Sequence, residues 1–154
     1  LTAQVIELQG FRAAIDDLAD GITMSGNVRL QAIVVGFDQP FPIPFFSDLF
    51  RIVQELVHNV IRHARATEAT VEVIEHDKHV TILVDDNGIG VSDQIQGDGQ
   101  GLRTIRAKVA LRNGQMDVHR KPEGGTLVVI DNLEFPAEGA SLTSRLGKAD
   151  RSIS

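Results

Sequence analysis

Thr70-Val71-Glu72-Val73-Ile74-Glu75, then His76-Asp77-Lys78, then His79-Val80-Thr81-Ile82-Leu83-Val84-Asp85 is the stretch that decides the fold. Apolar and polar residues largely alternate on both sides of a three-residue break, the pattern of two half-buried strands joined as a hairpin. A second pair of strands, 115–120 and 126–131, flanks Lys121-Pro122-Glu123-Gly124-Gly125. Consecutive hairpins pair antiparallel, whereas a parallel sheet needs a crossover helix between most strands. Working outward, Val5, Leu8, Phe11, Ile15 and Leu18 recur at helical spacing and predict a helix over 3–20, ended by Gly21. Residues 28–35 read as a strand with Val28, Leu30, Ala32 and Val34 on one face. Pro40, Pro42 and Pro44 sit in an apolar stretch, which reads as a loop entering a helix and not as a polar linker. That helix is predicted over 48–65, with Ser47 as N-cap and Leu49, Val53, Leu56, Val60 and Ala64 as its buried stripe. A third helix, 101–112, stops at Asn113-Gly114. The expected fold class is therefore α/β, a two-layer sandwich of a mixed, mostly antiparallel sheet with helices on one face.

The bulk numbers bound the function classes. A chain of 154 residues, 42% hydrophobic and 23% charged, predicts one folded domain, with the polar, aperiodic residues 136–154 as a loose tail after a domain of 1–135. The net charge of −6 and the lack of a basic block argue against nucleic acid as a partner. No long uncharged apolar run predicts contact with a membrane, and the lack of cysteine, which fits a cytoplasmic setting, excludes thiol chemistry. The chain begins at Leu1, which suggests a processed chain or a piece of a longer one.

Three segments could carry chemistry. Glu55-Leu56-Val57-His58-Asn59 runs into Arg62-His63-Ala64 on the second helix. Glu55 and Asn59, four apart, share a face, and Arg62 extends that side. Asn59 offers a hard oxygen for magnesium, Glu55 could orient or deprotonate a hydroxyl, and Arg62 with His63 could neutralise phosphate oxygens. Taken alone, the same residues are an ordinary solvated helix face. Asp85-Asp86-Asn87-Gly88-Ile89-Gly90 ends a strand and is by itself a turn sequence. Its functional alternative has the Asp86 carboxylate accepting from an adenine amino group, with Gly88 and Gly90 letting the backbone lie against the base. Gly97-Asp98-Gly99-Gln100-Gly101-Leu102 opens a helix. It lacks the preceding strand of a dinucleotide fingerprint, yet free N–H groups at a helix start favour phosphates. Gly124-Gly125-Thr126 reads either as a hairpin turn or as part of this site. Together and in this order, the segments point to ATP. An acidic domain that binds ATP needs a metal to offset repulsion. His58, His76, His79 and His119 show no metal-ligand or nucleophile spacing.

These residues resemble the catalytic ATP-binding domain of sensor histidine kinases, in the superfamily that includes gyrase, Hsp90 and MutL. Glu55 to Ala64 looks like the N box, Asp86 to Gly90 like the first glycine box and Gly97 to Leu102 like the second. Gly125-Thr126 matches the pair that closes the domain. The run from Gly99 to Arg106 is most similar to the subfamily partnered with LuxR-type response regulators. The resemblance covers about residues 5–133. It implies a Bergerat-type sandwich holding Mg-ATP, with Asn59 ligating magnesium and Glu55 as the polar catalytic residue. Asp86 would read adenine, supported by Thr126, and Gly99 and Gly101 would belong to a short lid. The implied partners are a histidine-bearing dimerisation domain and a LuxR-type response regulator, the domain itself being monomeric. The sequence departs from the family's commoner pattern at Val60 and Arg62. Nothing before residue 47 looks like a phospho-acceptor helix, and residues 3–20 contain no histidine. Autophosphorylation of this chain alone is therefore not expected. An anti-sigma-factor serine kinase shares the boxes but usually differs in the second glycine box. A non-catalytic ATP-sensing module is the third reading.

Overall fold

The computed structural model describes residues 3–38, 41–89 and 100–135. In chain order the elements are α1 (Ala3–Ser25), β1 (Arg29–Val35), α2 (Ile43–Asn59), a π-helical turn (Val60–Ala64), β2 (Glu68–Glu75), β3 (His79–Asp86), α3 (Gln100–Leu111), β4 (Gln115–Arg120) and β5 (Thr126–Glu134). The five strands form one sheet in the order β1-β2-β3-β5-β4. Only the β1–β2 pair is parallel, and α2 is its crossover; the other three pairs are antiparallel. The predicted mixed, mostly antiparallel α/β sandwich is what the chain forms.

Alternation builds the two layers. Leu30 and Val34 of β1, Ala69, Val71 and Val73 of β2, Val80, Ile82 and Val84 of β3, and Ile130 of β5 are buried on one face. Against them pack Phe11 and Ile15 of α1, Phe45, Leu49, Ile52, Val53 and Leu56 of α2, and Leu102, Ile105 and Val109 of α3. On the opposite face Ile33 and Val35 stay exposed. Period-two and period-3.6 patterns thus meet in a single core.

Four local expectations need correction. Gly21 does not end the first helix, which continues to Ser25 and stops at Gly26, where φ is +93°. The break in that helix falls instead at Gly10, with φ of +83°. Ser47 is not an N-cap: α2 starts at Ile43 with Pro42 in the cap position and Pro44 in the first turn, where a missing N–H removes nothing from the helix. The second helix also does not stay α-helical to residue 65, but widens into the π turn after Asn59 and ends at Arg65 in the left-handed region. Finally, β5 runs past residue 131 to Glu134. A register shift opposite Val80 and Ile82 and a positive φ at Asn132 form a bulge that returns Leu133 to the core. The expectations for 136–154 lie outside the described residues.

Candidate nucleotide site

The geometry centres on the end of β3. Asp86 is one of two buried polar residues among those described, and the other is Thr126, its direct ladder partner on β5. The Gly88 N–H donates to Asp86 Oδ1 at 2.8 Å, closing the turn that Asp86-Asn87-Gly88 predicts. The Thr126 N–H also donates to this carboxylate. Burial raises the Asp86 carboxyl above its ordinary 3.8, an effect that the two N–H groups and the charge of Lys121 oppose and that of Asp85 assists. The Thr126 hydroxyl is buried and has no hydrogen-bond partner among the described residues. An unpaired buried hydroxyl beside a buried carboxylate costs the fold free energy unless something else engages it.

Asn87 fixes the approach of β3 to β2. Its Oδ1 accepts from the N–H groups of Thr67 at 2.9 Å and Glu68 at 3.0 Å, and its Nδ2 donates to Thr67 Oγ1 at 3.0 Å. Gly125 fixes the other side. A Cβ there would lie 2.0 Å from the Asp86 carbonyl oxygen, and φ is +96°. Only glycine lets the β4–β5 turn press this close to the end of β3. The sequence marks Gly125 but not this contact, and neither Asn87 nor Lys121 stands out in it as a site residue. Lys121, in the turn between β4 and β5, pairs with Asp85 of β3.

The remaining candidate residues lie on the helices. Glu55 and Asn59 are half-buried on the last turns of α2, one turn apart, beside the buried Leu56 and Val60. Arg62 is exposed on the π turn, its Nε directed to the His58 carbonyl at 3.5 Å. His63 is also within that turn. The extra residue per turn rotates the residues after Asn59 away from a strict α-helical register. Glu55 and Asn59 both lie within α2, and Arg62 falls on the wider turn that follows it. Gly101 and Leu102 are in the first turn of α3, where the Leu102 side chain enters the core. Gly90 and Gly99 lie outside the described residues. The structure thus brings Asp86, Gly88, Gly125 and Thr126 together at one strand end, with Glu55 and Asn59 on the helix that packs over β3.

Such a strand end, with a buried carboxylate, an unpartnered hydroxyl and close-approaching glycines, has the makings of a base-binding cleft. Comparison with known proteins gives the family of the chain. Residues 46–137 match the family of histidine kinase-, DNA gyrase B- and HSP90-like ATPases, and the chain belongs to that family. The chain is 32% identical over 97 residues to the signal transduction histidine-protein kinase/phosphatase DegS of Brevibacillus brevis, covering 62% of this chain and 25% of that protein. It is 30% identical over 133 residues to the sensor protein NarQ homologue of Haemophilus influenzae, covering 84% of this chain and 23% of that protein. The chain therefore spans about a quarter of the length of these curated relatives. Among solved structures, the histidine kinase domain of the Erythrobacter litoralis blue-light activated histidine kinase superposes with a TM-score of 0.64 at 20% identity, over 84% of this chain and 62% of that one. The ATP-binding domain of PrrB from Mycobacterium tuberculosis gives 0.58 at 21%, over 81% and 93%. At these identities the structures speak for the fold, which is that of histidine kinase ATP-binding domains. Among the described residues, no helix is long and apolar enough to cross a membrane.

Proposed function

We propose that this chain binds ATP with magnesium and is the domain of a sensor histidine kinase that donates the γ-phosphoryl group to a histidine on a separate dimerisation domain. The observation that carries the reading is the buried pair Asp86 and Thr126, one with a carboxylate held by two backbone N–H groups, the other with an unpartnered hydroxyl. An ionised acceptor in a low-dielectric cleft suits the exocyclic amino group of adenine. Gly88, without a side chain, would leave room for the base. The backbone of the first turn of α3, at Gly101 and Leu102 after Gly99, presents N–H groups suited to phosphates. Arg62 and His63 would add positive charge.

Among the described residues no group of three histidine or carboxylate side chains could hold a metal by itself. A magnesium ion would therefore take its protein ligand from the Asn59 side chain and the rest from phosphate and water, in keeping with its preference for oxygen donors and retained water. When bound, it would offset charge on the transferring phosphate. Glu55 would orient the incoming imidazole or receive its proton. In the transfer the bond from the γ-phosphorus to the β–γ bridging oxygen breaks, a nitrogen–phosphorus bond forms, and ADP leaves. The domain would act in the cytoplasm as a monomer, and a LuxR-type response regulator would receive the phosphoryl group next.

Titration calorimetry with ATP and GTP, with and without EDTA, tests the binding half. The expected ATP affinity is micromolar to millimolar, about −4 to −8 kcal/mol, and dependent on metal. Equal affinity with and without EDTA removes Asn59 from a metal site, and equal affinity for ATP and GTP removes Asp86 from base recognition.

A further inference from the structure

We propose that Lys121 is a positioning residue for base recognition: from the β4–β5 turn it grips Asp85, ties the Gly124-Gly125 crossing to the end of β3, and supplies the positive charge beside Asp86. The inference rests on Asp86 reading the base, as proposed above, and assigns a role to a residue outside the three boxes.

The placement comes from the turn. The Lys121 N–H donates to the Gly125 carbonyl at 3.0 Å, and the Gly124 N–H donates to the Lys121 carbonyl at 3.0 Å. With its backbone fixed, the side chain reaches Asp85 and stays mostly covered, with 22% exposure. Asp85 and Asp86 are consecutive in β3, so their side chains leave opposite faces of the sheet. Asp86 enters the buried side; Asp85 is on the face without helices. Lys121 therefore acts on Asp86 from behind the strand, out of reach of a base lying against Gly88, which makes it a positioning and not a catalytic residue.

Charged residues occur on the elements next to Asp86: Glu55 and His58 on α2, Glu68 on β2, Asp85 on β3, and Arg120, Lys121 and Glu123 on β4 and its turn; those of β5, Asp131 and Glu134, lie toward the far end of its ladder with β3. Of these, Lys121 and Asp85 perturb Asp86 most, and with opposite sign. Lys121 favours the acceptor form; Asp85 works against it. In this arrangement Lys121 offsets the like charge that the preceding residue presents to the base-reading carboxylate.

The two partners of one tether thus make opposite predictions. Lys121→Met and Asp85→Asn both break the link. If the link is only a strut, both variants weaken ATP binding alike and evenly across pH. If the charge matters, Lys121→Met moves the acidic loss of ATP binding to higher pH, and Asp85→Asn moves it to lower pH. The ATP dissociation constant of each variant, measured from neutral pH down through the carboxylate range and divided by that of the wild type, removes the nucleotide's own titration. The expected result is an extra weakening of about three- to tenfold for Lys121→Met at the acidic end relative to neutral pH. Lys121→Arg should follow the wild type, and Lys121→Met with Asp85→Asn should lie near it. Parallel, pH-independent losses, or shifts of the same sign, overturn the proposal. Should Lys121→Met fail to fold, Asp85→Asn and Lys121→Arg still decide it, since a shift to higher pH in Asp85→Asn has the wrong sign. If the wild type binds ATP and GTP alike, the base role of Asp86 itself fails, which is a separate outcome.

Discussion

Asp86 is buried where a carboxylate is costly, and the chain tolerates it. Its raised titration has a definite consequence for stability. A carboxyl raised in the folded state supports folding below its unfolded value and loses that contribution as pH rises through the folded value. At neutral pH the ionised group therefore weighs against the nucleotide-free fold. Asp86→Asn keeps one carbonyl oxygen as acceptor for the Gly88 N–H and removes the charge. It should melt at higher temperature than the wild type at neutral pH, with the gap closing on acidification, while ATP binding weakens by about 1.5–3 kcal/mol. A variant less stable than wild type at neutral pH contradicts the electrostatic assignment. Gly125 is the opposite case, a residue required by shape alone. Gly125→Ala puts a methyl group onto the Asp86 backbone and forces a positive φ on alanine, for an expected loss of about 2–4 kcal/mol in denaturant unfolding. A loss under 1 kcal/mol, on the order of an ordinary surface change, would mean that the turn can move away from β3.

One acid, Asp48, adds ion pairs to the apolar contact of α3 with α2. Asp48 accepts from Lys108 Nζ and from Arg112 Nη2, each at 2.9 Å; Lys108 is in the last turn of α3 and Arg112 directly follows the end of the helix. The Arg112 guanidinium also rests over the Phe45 ring at 4.8 Å. All three charged side chains are largely covered, so Asp48→Ala leaves two cations short of a partner in a poorly solvated place. The expected cost is about 2 kcal/mol. Amide exchange should speed up in α3 and remain unchanged in β2 and β3; unchanged exchange in α3 would show that Ile105 and Val109 hold the helix without the acid. The π turn is the other feature of this scale. Sequence periodicity carries straight through Asn59 to Ala64, because apolar spacing does not distinguish a helix from one that widens by a residue. Arg62 therefore lies on a turn of different pitch from the one that carries Glu55 and Asn59.

For the whole molecule, the prediction concerns transfer. None of the five histidines lies in a segment resembling a phospho-acceptor helix, and residues 1–46 contain none. Phosphoryl transfer needs an acceptor in line with the γ-phosphate. Incubated with γ-labelled ATP, this chain should acquire no acid-labile phosphate. Addition of a histidine-bearing dimerisation domain from the same protein should restore labelling, on that domain, and Asn59→Ala should abolish it. Stoichiometric label on this chain alone would favour a serine-kinase or self-modifying activity.

The range of the forces involved sets how far the sequence reached. Alternation in 70–85 and the turns at His76 to Lys78 and Lys121 to Gly125 determined the hairpins, because strand pairing across a short turn is local. The spacing of Glu55 and Asn59 and the Asp86-Asn87-Gly88 turn were legible for the same reason. Helix ends were less so: Gly21 has no tertiary reason to stop α1, and Pro42 with Pro44 takes the start of α2 from Ser47. What only the tertiary structure decided depends on residues far apart in the chain. The ladder sets Thr126 opposite Asp86, the Cβ-free approach of Gly125 brings the turn to it, and Lys121 meets Asp85 at a separation of 36 residues. The charge and burial of Asp86, on which its chemistry depends, are properties of that assembled strand end and of no segment by itself.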